Sequence, residues 1–441
     1  MKTFVSGSQL RQIRILIGSS LWFVPAVMVL ASAALAVGLI EMDLRYSSQL
    51  KEWWPRLFKS EVDGAREMLS TIATATITVA GVVFSITIVA LALASTQYTS
   101  RVLRNFMRDK ANQVVLGSFV GIYTYCLLVL RILSGGDQAS VPSLAVFGGL
   151  VLALIGIVVF IFFIHHISSS IQAGEIIAAI TFETLNVVDK RFPDRMDKTQ
   201  GNHESKLTQQ MERLEWNSIP ASCTGYVQTI DAAELLAYAI RKQIVLHAIS
   251  GAGDFVIQGK PLAFIAGKQP ASMEDIEIIN GMYAIDRFRT VDQDPAFGLR
   301  QLVDIALKAL SPAINDTTTA VICVEHISVI LQRLADRNLQ TSYGFEGEEL
   351  RFIGHGPDFE SLISLGFDQI LENGEGNTAI LSNLLGMLES IAEATTDQHR
   401  RAWLIRYIEV ISEVVNKSAK TSYAQHILQS RITQLKGKLH T

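Results

Sequence analysis

The densest group of chemically capable residues lies between Arg289 and Ala320. Asp292 and Asp294 precede an apolar helical stretch, Leu299–Leu310, and Ser311, Asn315 and Asp316 follow it. Pro312 disfavours helical geometry at Ser311. Asp316 stands where an N-cap would open the next helix, with Asn315 closing the turn. If the two turns meet, the five polar side chains converge. They would then form either a small-ligand or ion site, or a capped, hydrogen-bonded structural turn. Glu325 and His326 follow on the next helix and could join Asp292 or Asp294 at a metal. The sequence holds no Gly-x-Ser-x-Gly elbow, Walker loop, His-Glu-x-x-His pair or dinucleotide fingerprint. Neither an enzyme activity nor a bound metal or cofactor is expected.

A second pattern is a stripe of small and hydroxylated residues. Ser70, Thr74, Thr78, Gly81 and Ser85, continued by Ala92 and Ser95, share one face of a helix. They lie in Leu69–Ser100, a run of 32 residues without a charged side chain, about 50 Å long as a helix. Such a face packs against protein or water in preference to lipid. It suits either the wall of an oligomeric pore or a close-packed seam inside a helix bundle. Arg101, Arg104 and Arg108 follow directly. As a ring at a cytoplasmic mouth they would favour anions; the same arginines would equally report topology alone. His165 and His166 are neighbours and point about 100° apart on a helix, which fits interfacial histidines better than a shared metal.

These residues need elements to hold them. Four apolar segments, Ile15–Ile40, Leu69–Ser95, Val114–Leu133 and Leu144–Ile164, are each long enough to span a bilayer. The first is too long for the apolar region of a signal peptide. Lys2, Arg11 and Arg14 precede it, and the loop after the second span is basic except for Asp109. Ser134–Val141 carries only Asp137, and Glu41–Met68 is mixed. Both termini are therefore expected in the cytoplasm. Trp53 and Trp54 suit the membrane–water interface. Beyond Ser169 the chain holds 25 basic and 34 acidic residues, a poor match for nucleic acid. Cys126, Cys223 and Cys323 form no paired motif, in keeping with a reducing compartment.

The organisation expected is an α-helical membrane protein with four transmembrane helices in residues 1–168. A connecting helix and linker (169–217), a small β-barrel-like unit (218–270) and a mainly helical cytoplasmic domain (271–441) complete the chain. In the β unit, Gly225–Asp231 alternates as a strand, and Asp231 opens a helix through Lys242. Strands follow at Ile244–Ile249, Phe255–Ile257 and Leu262–Ala266. The turns between them resemble those of small barrel-sandwich domains. Lys260 lacks the flanking pattern of a lipoyl or biotinyl carrier, so the unit is read as a scaffold. In the helical region, Ile276, Ile279, Met282 and Tyr283 share a face, and a hairpin turns at Glu346–Gly347. Helices are then expected from Asp358 to about Leu371 and over Thr378–Glu393, Asp397–Asn416 and Ser422–Lys436.

The segment Asp294–Asp316, with Phe84–Ala90, Ser95–Arg101 and Gly225–Asp231, closely resembles an uncharacterised bacterial family of membrane proteins, domain of unknown function 2254. Thr317 departs from the proline expected after Asn-Asp, a position where either residue can start a helix. The resemblance implies a multi-pass protein of the bacterial inner membrane and supplies no activity. Two functions are open: an oligomeric channel or transporter-like pore with a cytoplasmic regulatory domain, or a membrane-anchored platform binding a ligand or protein. The expected partners are the lipid bilayer and further copies of the chain. The lack of acidic residues within the four apolar segments argues against proton- or cation-coupled transport.

Overall fold

The computed structural model describes residues 22–53, 62–97, 109–133, 142–192, 211, 214–267, 270–339, 343–347 and 349–440. One compact unit ends at Gln172 and a second runs from Ala173 to Thr441.

The first unit contains α1 (Phe23–Trp53), α2 (Val62–Gln97), α3 (Lys110–Leu133) and α4 (Ser143–Ser170). Each is long and apolar enough to cross a membrane. The most enclosed is α3, on which α1, α2 and α4 all pack. Gly117 and Gly121 let α1 come close. A Cβ on Gly117 would lie 2.9 Å from the backbone of Pro25, and one on Gly121 would lie 2.6 Å from Ser32 Oγ. This Gly-x-x-x-Gly spacing lets helix backbones approach where no hydrophobic effect drives them together. Polar groups tie the helix ends. Arg66 Nη2 donates to the Leu133 carbonyl at 3.0 Å, and His166 Nε2 meets Asp109 Oδ2 at 2.6 Å. The Glu41–Met68 stretch, expected as a loop, is helical up to Trp53 and again from Val62.

The second unit opens with α5 (Ala173–Arg191) and continues as β1 (Trp216–Pro220), β2 (Gly225–Ile230), α6 (Ala232–Lys242), β3 (Val245–Ala248), β4 (Phe255–Val256) and β5 (Pro261–Ala266). Next come α7 (Met273–Gly281), β6 (Tyr283–Asp286), α8 (Pro295–Leu310), α9 (Thr317–Ala335), β7 (Tyr343–Glu346) and β8 (Glu349–Ile353). Four helices end the chain: α10 (Phe359–Asn373), α11 (Thr378–Ala394), α12 (Gln398–Ser418) and α13 (Ser422–His440). Short polar residues set the helix starts: Asp231, Asp294, Asp316 and Asp358 each accept a main-chain N–H three residues on.

The strands form two open sheets, β1-β5-β3-β8-β7 and β4-β2-β6. The expected barrel-like unit is therefore corrected. Its strands are shared between two sheets, and the larger recruits the distant β7–β8 hairpin, so no barrel closes among the described residues. All pairings are antiparallel except β3 with β8, where Leu246 is opposite Phe352. Tyr283, expected on a helix, belongs to β6: α7 stops at Gly281 and Tyr283 pairs with Ile230.

Among the helices of this unit, α8 packs on α5, α9 and α10, and α9 packs on α5, α8, α10 and α11. Leu302, Leu331, Phe367 and Leu384 are fully buried among them. The apolar length of α9 also suffices to cross a membrane, making it the fifth such helix among the described residues.

Candidate functional site

The second apolar helix sorts its residues onto two faces. Ala65, Leu69, Ala73, Thr76, Ala80, Val83 and Ala90 recur at intervals of three, four and seven and are buried within the bundle. Ser70, Thr74, Thr78, Gly81 and Ser85 are exposed, on roughly the opposite side at 100° per residue. A Cβ on Gly81 would meet nothing within 4 Å. The hydroxyls of Thr74 and Thr78 donate to the Ser70 and Thr74 carbonyls at 2.9 and 2.8 Å. This stripe is therefore not the seam of the bundle; an alanine-rich face supplies that contact. Arg101, Arg104 and Arg108 lie outside the described residues.

In the second unit the two polar turns do not converge. Asp294 caps the N-terminus of α8 and Ser311 caps its other end, which puts them about 24 Å apart along a 16-residue helix. The Ser311–Asp316 turn bonds to itself and to α8. Asn315 adopts the left-handed conformation with φ 50°, its N–H donates to the Ser311 carbonyl, and the Asp316 N–H donates to the Ala309 carbonyl at 2.8 Å. Asp316 accepts both the N–H and the hydroxyl of Thr319, at 3.0 and 2.5 Å, and these bonds hold its carboxyl below the ordinary range. His326 instead meets Thr181 on α5 at 2.9 Å, and Glu325 accepts from Asn383 on α11 at 3.3 Å.

The other turn, Arg289–Asp294, borders a pocket of about 500 Å³. Asp294 is 3% exposed and receives Arg289 Nε at 2.5 Å. Burial pushes its carboxyl up, against the pull of Arg289, the Phe297 N–H and Arg191. Gly253, at φ +96°, packs so close that a Cβ there would lie 2.8 Å from Arg289 Nη2. Gln293 accepts the Ile230 N–H at 2.9 Å and donates back to its carbonyl at 3.3 Å, so the end of β2 is pinned. The Gln293 carbonyl holds Arg191 Nη1 at 2.7 Å. Burial lowers the Arg191 pKa, which the Asp294 charge counters. Asp292 lines the same pocket and is exposed.

The pocket opens at the carboxyl ends of the parallel pair β3 and β8, beside Ala248 and Gly354. In α/β sheets, ligands commonly bind outside such strand ends. Of the five residues read from the sequence, only Asp292 lines the pocket, with Asp294 packed behind it. Arg191 and His355 were legible only weakly, as a basic last turn of α5 and as a Gly-His-Gly-Pro break after a strand. Among the described residues no group of three His, Cys, Asp or Glu is arranged to hold a metal ion.

Residues 18–390 match the family described as predicted membrane protein DUF2254. Uncharacterized proteins from two strains of Mycobacterium tuberculosis and from Mycobacterium bovis are 34% identical to the chain over 358 residues, covering 78% of this chain and 67% of each relative. No solved structure matches the chain. The chain belongs to the DUF2254 family of predicted membrane proteins.

Proposed function

We propose that this DUF2254 member is a four-span protein of the bacterial inner membrane, with both termini cytoplasmic, that assembles from identical subunits into a pore under the control of its C-terminal unit. One observation carries the reading: the hydroxylated face of α2 points away from the bundle that α2 helps to build. A stripe of Ser, Thr and Gly gains little from lipid, whereas between subunits or along water it packs closely or is solvated. Thr74 and Thr78 have satisfied their own donors, so their free lone pairs face outward. Arg101, Arg104 and Arg108 at the end of the stripe would bias such a pathway toward anions.

The count of four leaves α9 out of the membrane. It carries Glu325 and Arg333 and is wrapped by α5, α8, α10 and α11, as expected of a core helix in a water-soluble unit. The basic residues beside the first two spans support cytoplasmic termini. Neither catalysis nor nucleic-acid binding is part of the proposal. A second reading, a membrane-anchored platform that binds a ligand, is favoured by the pocket beside Arg191.

Reconstitution in planar bilayers tests the pore. Conductance is expected, with unit current altered by Thr78→Val and Ser85→Val. A purified protein that is monomeric and silent would remove the pore and leave the platform.

A further inference from the structure

We infer that the pocket at the carboxyl ends of β3 and β8 binds a small organic anion: a phosphate or carboxylate head held by Arg191, Lys190 and His355, on an apolar body. The inference rests on the ligand-binding reading of the C-terminal unit and is independent of whether the membrane unit conducts.

Charge balance is the first argument. Lys190 and Arg191, with the His355 imidazole beside them, line the pocket against a single lining carboxylate, Asp292, while the buried Asp294 behind it is matched by Arg289. Lys190 and His355 have neither a hydrogen-bond nor an ion-pair partner among the described residues. Two neighbouring arginines are by contrast fully engaged. Arg351 bonds Glu346 and Gln243, and Arg337 bonds Asp189 and the Phe192 carbonyl.

Preorganisation is the second. Arg191 donates hydrogen bonds only through Nη1, to the carbonyl and side chain of Gln293 at 2.7 and 3.3 Å, and its guanidinium lies 5.8 Å from the centre of the Phe192 ring. Its Nε and Nη2 have no hydrogen-bond partner among the described residues, so part of the guanidinium fork that matches a phosphate or carboxylate is open. Gln293 is in turn fixed to both main-chain polar groups of Ile230. The guanidinium is thus aimed by a chain of bonds that ends in a β-strand, which reduces the ordering cost of binding. His355 is set likewise: a Cβ on Gly251 would lie 2.8 Å from its Cδ2, so the 251–254 turn backs the ring closely.

Shape is the third. Ile230, Ala248 and Phe352 supply an apolar wall beside these polar groups. A volume of about 500 Å³ suits an organic ligand. Bare inorganic phosphate would leave that wall wet.

The test uses the full chain in detergent, with 1-naphthyl phosphate, 1-naphthoate and neutral 1-naphthol as probes, read by thermal shift and calorimetry. At least one anion is expected to raise Tm saturably, and 1-naphthol is not. The preferred anion identifies the head. Lys190→Ala and His355→Ala should each weaken Kd several-fold and leave the protein folded, as a cooperative ligand-free melt will show, since neither side chain makes a hydrogen bond or ion pair among the described residues. Arg191→Met should abolish binding, and Asp292→Asn should tighten it. Equal stabilisation by 1-naphthol would overturn the anion assignment while leaving a ligand-binding unit. No stabilisation by any probe would remove both. Wild-type affinity in both Lys190→Ala and His355→Ala would place the ligand elsewhere and overturn the inference.

Discussion

Asp43, on α1 just past the first apolar segment, accepts the main-chain N–H of Leu144 through Oδ2 at 2.8 Å. Leu144 lies in the first turn of α4, whose own N-cap residue, Pro142, offers no side-chain acceptor. A buried carboxylate from α1 therefore does the capping for α4, where the positive end of the helix dipole also favours it. Asp43→Ala is expected to cost about 1–2 kcal/mol, as loss of a good N-cap does, and to lower Tm in detergent. Asp43→Asn keeps an acceptor oxygen and should lose less. Identical melting of all three proteins would show that α4 is capped by another group.

Two glycines make a matched pair for the membrane unit. A side chain at Gly121 meets Ser32 at once, whereas one at Gly81 meets nothing within 4 Å. Gly121→Leu is expected to pry α1 from α3 and destabilise the subunit by about 1–3 kcal/mol or more. Gly81→Leu should leave the subunit fold intact and, by native mass spectrometry, lower the mass of the oligomer proposed above. An unchanged oligomer in Gly81→Leu would put lipid, not a second copy, against that face.

What the sequence discloses follows the range of the interactions. Apolar length and flanking charge are local, so the four hydrophobic segments could be read directly. Caps at Asp231, Asp316 and Asp358 are set within three residues and were equally legible. The hydroxyl stripe was visible as a face, but which face the bundle buries depends on the alanines of α2 meeting α3. The sheets were misread because β3 pairs with β8 across about a hundred residues, and no local pattern announces that pairing. The pocket stayed hidden for the same reason: Arg191, Ile230, Gln293 and His355 come from four segments. Convergence of Asp294 with Asp316 was a reasonable expectation from two neighbouring turns, and the 16-residue helix between them holds them apart.

Asp316 gives a pH dependence with a definite sign. Hydrogen bonds from the Thr319 hydroxyl and N–H depress its carboxyl below the ordinary 3.8. A depressed folded-state pKa stabilises the protein above the unfolded value, and that contribution is lost as pH falls through the folded one. Asp316→Ala should cost about 1 kcal/mol at neutral pH and progressively less below about pH 4. Asp316→Asn should retain most of the cap while removing this acid-side slope. Chemical denaturation between pH 3 and 7 measures both. Parallel pH profiles for wild type and Asp316→Asn would show that the Thr319 bonds do not discriminate the ionised carboxyl.

Gly298 and Thr184 test how α8 is seated. Gly298 lies in the first turn of α8, and a Cβ there would come within 2.9 Å of Thr184 Cβ on α5, closer still to its hydroxyl. Thr184 is fully buried and donates to the Ile180 carbonyl at 2.7 Å, so its side chain cannot swing aside without losing that bond. Alanine is the better helix former by about 1 kcal/mol, so propensity alone predicts that Gly298→Ala stabilises. Overpacking predicts the reverse, a loss of about 1–3 kcal/mol, and with a backbone-anchored neighbour it should win. Thr184→Ala removes the hydroxyl and methyl and should partly rescue Gly298→Ala, giving a coupling energy of about 1 kcal/mol or more in a double-mutant cycle. Additive effects of the two substitutions would mean that α8 and α5 yield at this contact, and that the small residue after Phe297 is not what sets their spacing.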